Sequence, residues 1–166
     1  DGVRELLGER AFEAMARDQV VPGTWRVQNI LDDAHTTDPD RRLARIIGFF
    51  LFARTLTRTE LADALGGEPA LNDLIAAHLV EPAESENTCT PENPGEEPQY
   101  RAVFDLRPHS ADDGTELWVA SDLGAHQRPG VLRKDHVLGI GQASLTLAQI
   151  TERTPVARAL DVGAGC

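Results

Sequence analysis

Val3, Leu6, Leu7, Ala11, Ala14 and Met15 recur at the interval of an amphipathic helix, which predicts a first helix over residues 2–17. Val21-Pro22-Gly23 reads as its breaker. Trp25, Val27, Ile30, Leu31 and Ala34 predict a short second helix, closed by a polar turn from Thr36 to Pro39. Leu43, Ile46, Ile47, Phe50 and Leu51 form the strongest apolar stripe and mark a central core helix. Thr57-Arg58-Thr59-Glu60 has the spacing of a capping box, with Leu56 and Leu61 as a hydrophobic staple, so a helix starts there and stops at Gly66-Gly67. Pro69 suits the first turn of the next helix. Leu71, Leu74, Ile75, His78 and Leu79 line one face of it as far as Pro82, which makes His78 a core or interface residue.

Residues 81–99 hold four prolines, five glutamates from Glu84 to Glu97 and no Lys or Arg, which predicts a mobile loop. Tyr100, Ala102, Phe104 and Leu106 then alternate with Arg101, Asp105 and Arg107. After Asp112-Asp113-Gly114 comes Leu117-Trp118-Val119-Ala120, and together these predict a β-hairpin. The expected class is α+β, mainly helical, and the order of elements from Asp40 to Leu123 resembles a winged helix. The helix that would read DNA in that arrangement contains Glu68, Asp73 and Glu81 between residues 68 and 81 and no cation. It would oppose phosphates, so a substrate-recognition or packing role fits better.

Asp135 to Thr151 reads as a glycine-bearing loop entering a helix with Leu145, Leu147, Ala148 and Ile150 as its apolar surface, followed by a strand from Ala157 to Val162. The strand ends in Leu160-Asp161-Val162-Gly163-Ala164-Gly165, an apolar run, an Asp and a Gly-x-Gly. This is the strand-to-loop turn of a Rossmann-like unit, where glycines let main-chain N–H groups approach a ligand. It resembles motif I of class I S-adenosylmethionine-dependent methyltransferases, and the loop, helix and strand resemble the start of the small-domain group, which includes enzymes of ribosomal RNA bases and of release-factor glutamine.

That resemblance implies S-adenosylmethionine as cofactor, with Asp161, Gly163 and Gly165 at its loop. Gly139, Gly141, Gln142, Ala143 and Ser144 become contacts from the preceding segment. The motif's third glycine would be residue 167, so the expectation is an N-terminal recognition domain over 1–124 and the torn first helix and strand of a Rossmann-like methyltransferase domain over 125–166. Such a fragment would not hold the cofactor alone. No catalytic residue is assigned, since the family's Asn/Asp-Pro-Pro-Tyr/Phe tetrapeptide does not occur; Glu92-Asn93-Pro94-Gly95 is a loop. Leu160 and Val162 belong to a strand normally buried in a parallel sheet, so the tail is expected to pair with the hairpin or with another copy of the chain.

Composition narrows the partners. A net charge of −11 and a pI near 4.8 argue against broad phosphate binding. Cations are local: Arg101 and Arg107 on the hairpin, then His126, Arg128, Arg133, Lys134 and His136. Arg128, Arg133 and Lys134 are candidate substrate contacts that steer a phosphate-bearing group, unless they only balance nearby carboxylates. Trp25 and Trp118 read as packing residues, with Trp118 alternatively a base-stacking platform. His35 and His109 fall in turns. No metal is expected, as His126 and His136 make no ligand pattern and Cys89 and Cys166 are isolated. The apolar run from Ile46 to Ala53 is far short of the ~20 residues of a membrane span, so a cytoplasmic protein is expected.

Two functions follow: the recognition part of an N-methyltransferase acting on an RNA base (rather than DNA) or a protein side chain, or a non-catalytic winged-helix interaction module.

Overall fold

The computed structural model describes residues 2–15, 17, 19–83, 97–110, 114–124, 127–128, 130–131, 133–160 and 162. The apolar stripe becomes the longest helix among them, Asp38–Leu51, which buries Ala44, Ile47, Phe49, Phe50 and Leu51. Thr37 caps it by accepting from the Asp40 N–H at 3.3 Å. Around it the chain lays down α1 (Gly2–Leu7), α2 (Glu9–Met15) and α3 (Val21–Asp32), so that the stripe helix is α4. The expected helix over 2–17 is two, because Gly8 adopts φ +78°, a left-handed turn that glycine enters without steric penalty.

Val21-Pro22-Gly23 starts α3 instead of breaking a helix. The N–H that Pro22 lacks is one that a first turn leaves without an intrahelical partner. Gly23 makes room on α3 for the residue that follows α4: a Cβ there would lie 2.4 Å from Phe52 Cζ. On α4, a Cβ at Gly48 would lie 3.3 Å from Val27 Cγ1 and 2.8 Å from Arg54 Cδ. Arg41 closes the same pair, donating to Leu31 O at 2.7 Å and Asp33 O at 2.9 Å.

The capping box forms as predicted ahead of α5 (Arg58–Leu65), with Glu60 Oε2 accepting from the Thr57 N–H at 3.1 Å. Glu97 adds to it by accepting from Thr59 N–H and Oγ at 2.6 and 2.7 Å, which holds the Glu97 carboxyl below its ordinary pKa. Gly66, at φ +89°, ends α5.

The following helix, α6 (Glu68–Ala76), stops short of Pro82. His78 takes the left-handed position at φ +57°, its N–H bonds Ile75 O at 3.0 Å, and Leu79 N–H bonds Leu74 O at 2.9 Å. That double bond pattern terminates a helix, and it turns His78 to solvent, not into the core.

Ending α6 early frees Val80–Pro82 to form a strand, β2, between β1 (Leu56–Thr57) and β3 (Gln99–Ala102) in sequence. The sheet is antiparallel in the order β1-β3-β2, with Leu56 opposite Tyr100 and Val80 opposite Ala102. The ends of the expected loop over 81–99 are therefore strand residues, and 84–96 lie outside the described residues.

The alternating run from Tyr100 is not one strand. At Val103, whose N–H donates to Leu79 O at 3.2 Å, the chain leaves the first sheet. It continues as β4 (Phe104–Ser110), paired with β5 (Glu116–Asp122) from Phe104↔Asp122 to Ser110↔Glu116. Phe104 and Leu106 pack on the helical core, and the Phe104 ring lies 5.4 Å from that of Phe50.

The last helix, α7 (Gln142–Ile150), lies where expected but buries no residue. No strand forms over 157–160. Leu160 and Val162 are 88% and 86% exposed, and none of the described residues from 157 onward pairs with the hairpin. A strand needs a neighbour's main-chain donors and acceptors, and the described residues supply none there. The described residues thus form an α+β fold, and no helix among them is long and apolar enough to cross a membrane.

Two substitutions test this packing. Gly23→Val, forced against the Phe52 ring, should cost about 1–3 kcal/mol of stability in chemical denaturation. His78→Gly, which relieves a side chain in a left-handed position, should raise stability by about 0.5–1 kcal/mol.

Candidate functional site

The chain beyond β5 is tied back to the core by two side chains. Gln127 Nε2 donates to Leu51 O at 3.2 Å while its Oε1 accepts from the Gly124 N–H at 2.9 Å, fixing the turn after β5 to the end of α4. Asp122 then catches the returning chain: its N–H donates to Val137 O at 3.0 Å, and its Oδ2 accepts from Val137 N–H at 2.9 Å. The mostly buried His136 places Nδ1 3.7 Å from the same oxygen. Neither Gln127 nor Asp122 stands out in the sequence, since both act through partners distant along the chain and on no periodic pattern.

This latch sets Gly139 against Ser121, where a Cβ would come within 3.0 Å of Oγ. Between the hairpin, α1–α2 and the latched segment lies a groove of about 670 Å³, bordered by Arg4, Phe12, His109, Ser121, Gly139 and Gly141 among others. Its size suits a small organic ligand or part of a larger one. The Arg4 guanidinium stacks over the Phe12 ring at 4.6 Å, so this wall is both cationic and apolar.

Of the residues the resemblance assigns to a cofactor, Gly139 and Gly141 front this groove. Gln142, Ala143 and Ser144 are exposed in the first turn of α7, and Asp161, Gly163 and Gly165 lie outside the described residues. The glycine loop therefore offers an open approach, with nothing within 4 Å of a Cβ at Gly141.

Arg128 and Arg133 meet His136 around a second groove of about 400 Å³ on the other side of Asp122. Lys134 is exposed, and His126 lies outside the described residues. Trp118 is 62% exposed, across from Pro108 and on the opposite face to Val119, and Trp25 is 68% exposed, so neither is the packing residue expected. His109 belongs to β4 and not to a turn.

The arginines near the grooves already have carboxylate partners. Arg101 Nε lies 2.8 Å from Glu81 Oε1, Arg107 Nε 2.6 Å from Asp105 Oδ2, Arg128 Nη1 3.6 Å from Glu81 Oε1 and Arg133 Nε 2.9 Å from Asp135 Oδ1. A phosphate entering here displaces a carboxylate instead of meeting an unopposed cation, which weakens electrostatic steering. Hydrogen bonds from Arg133 hold the Asp135 carboxyl down to about 2, and Asp135 in turn raises Arg133.

Because its folded pKa is depressed, Asp135 should keep this pair closed above the ordinary carboxylate range and release it only as pH falls through about 2. Carboxyl-carbon NMR titration checks this, and Arg133→Ala should move the midpoint up towards the ordinary carboxylate value, the backbone hydrogen bond and His136 still holding it somewhat below.

Among the described residues no three of His, Cys, Asp and Glu are grouped as metal ligands. No curated protein and no solved structure matches the chain. A family model does match, over residues 1–90, which include all of α1 to β2 and stop before β3. Through its helical core, and over more than half its length, the chain belongs to the family described as a domain of unknown function, DUF7059.

Proposed function

We propose that this chain is the substrate-recognition part of an S-adenosylmethionine-dependent N-methyltransferase, acting on a nitrogen of a nucleobase or a protein side chain. In this reading residues 1–124 recognise the substrate and 125–166 open the catalytic domain. Helix α7 carries the proposal. It is apolar yet buries nothing, with Leu147 64% and Ile150 73% exposed, and it stands between a glycine loop and an Asp-x-Gly-x-Gly sequence. Exposed apolar area costs about 25 cal/mol per Å², so such a helix calls for a covering layer, which a Rossmann-like sheet supplies.

The groove in front of Gly139 and Gly141 supports the placement of a ligand on this side of the hairpin. Asp161, Gly163 and Gly165 would shape the cofactor loop, with the first-turn N–H groups of Gln142, Ala143 and Ser144 nearby. The bound cofactor supplies the activated methyl group. The protein's contribution is to align the accepting nitrogen and keep water away.

The order α4, β1, α5, α6, β2, β3, with the sheet arranged β1-β3-β2, supports reading the recognition part as a winged helix. Its α6 carries Glu68 and Asp73 and no cation, which speaks for a role other than DNA reading. A non-catalytic interaction module is the second reading, favoured by the paired arginines and the exposed Trp118.

Equilibrium dialysis of labelled S-adenosylmethionine against the gene's complete product separates the two. The enzyme reading expects saturable binding that Asp161→Ala weakens about tenfold to a hundredfold, the cost of a lost charged hydrogen bond. Absence of saturable binding leaves the interaction module.

A further inference from the structure

We propose that the outer edge of β5 takes up an extended, basic polypeptide segment by strand addition. The Asp122 N–H points to Val137 O, so the main-chain groups of Asp122 face away from β4. In an antiparallel ladder this direction alternates. With Leu106 opposite Ala120 and Pro108 opposite Trp118, the N–H and C=O groups of Ala120 and Trp118 share the outward direction of Asp122.

The two margins of the hairpin differ. By the same alternation the outward residues of β4 are Phe104, Leu106, Pro108 and Ser110. Phe104 and Leu106 press their side chains on the core, which sets β4 against the helices, and Pro108 has no N–H to give, which breaks the run of donors on that margin. On β5 the outward residues Glu116, Trp118 and Ala120 are all exposed. Among the described residues, Asp122 alone on β5 makes a main-chain bond beyond β4, and the segment carrying Val137 goes on past the Ser121 side chain at Gly139 without a second rung. Among the described residues nothing else pairs with this edge, so it can accept a strand over most of its length.

Its chemistry selects the occupant. Alternating N–H and C=O groups match another polypeptide main chain, not a sugar-phosphate backbone. Glu116 stands exposed at one end of β5, and the chain carries −11 overall, so the complementary segment is basic. A second copy is disfavoured: pairing β5 with itself about an axis between Trp118 and Ala120 sets Glu116 opposite Asp122 and brings together two chains of −11. The added strand would present alternate side chains to Trp118 on one face and, beside Val119 and Ser121, to the large groove on the other. None of this depends on the cofactor reading.

The test uses the 166-residue chain without cofactor and a capped synthetic peptide of alternating lysine and valine, read by NMR amide exchange. The peptide should slow exchange at Trp118 and Ala120. Ala120→Pro, which deletes one outward N–H, should weaken binding about tenfold or more. Main-chain N-methylation of the peptide should do the same without altering the protein, and exchanging its lysines for glutamates should also weaken it. The proposal is overturned if the two amides stay unprotected, if the N-methylated peptide binds equally well, if oligouridylate protects the same amides, or if sedimentation shows that self-association protects them without peptide.

Discussion

The close crossing of α3 and α4 is the constraint on which the rest depends. A glycine on each helix removes the Cβ that would hold them apart, so that the Phe52 ring lies over Gly23 and Val27 enters beside Gly48. Interiors pack near crystal density, and a contact this close leaves no freedom for the end of α4. From there the consequences run outward: Leu51 O receives Gln127, which holds the turn after β5, and Phe50 meets Phe104, which seats the hairpin. The groove beside Gly139 is thus positioned by helices far from it in sequence.

Much of this was legible where a side-chain type has a single local use. The stripe of α4, the Thr57–Glu60 capping box and the stop at Gly66 all follow from spacing. The misses share a different cause, since backbone handedness and sheet membership leave little trace in hydrophobic periodicity. Gly8 splits a helix without disturbing its apolar interval, and His78 enters a left-handed turn that glycine more often occupies. The apolar positions from Tyr100 to Leu106 keep their spacing of two past Val103 although the two halves join different sheets.

The candidate site was legible to a similar degree. The glycine loop and its helix appear in the sequence, and the structure brings Gly139 and Gly141 to a groove. The cations near it read as a steering cluster until their partners are seen. Glu81 lies twenty residues from Arg101 and forty-seven from Arg128, separations that hide the pairing from any local reading. The latch at Asp122 is hidden in the same way.

The placement of β3 bears on where the folding unit ends. It is the middle strand of its sheet, with Tyr100 opposite the buried Leu56 on one side and Ala102 opposite the buried Val80 on the other. A polypeptide cut at the limit of the family match, residue 90, would retain β1 and β2 as two margins with no centre, their ladder bonds unmade. The autonomous module must therefore extend at least through Ala102, and the evolutionary boundary drawn from sequence falls inside it.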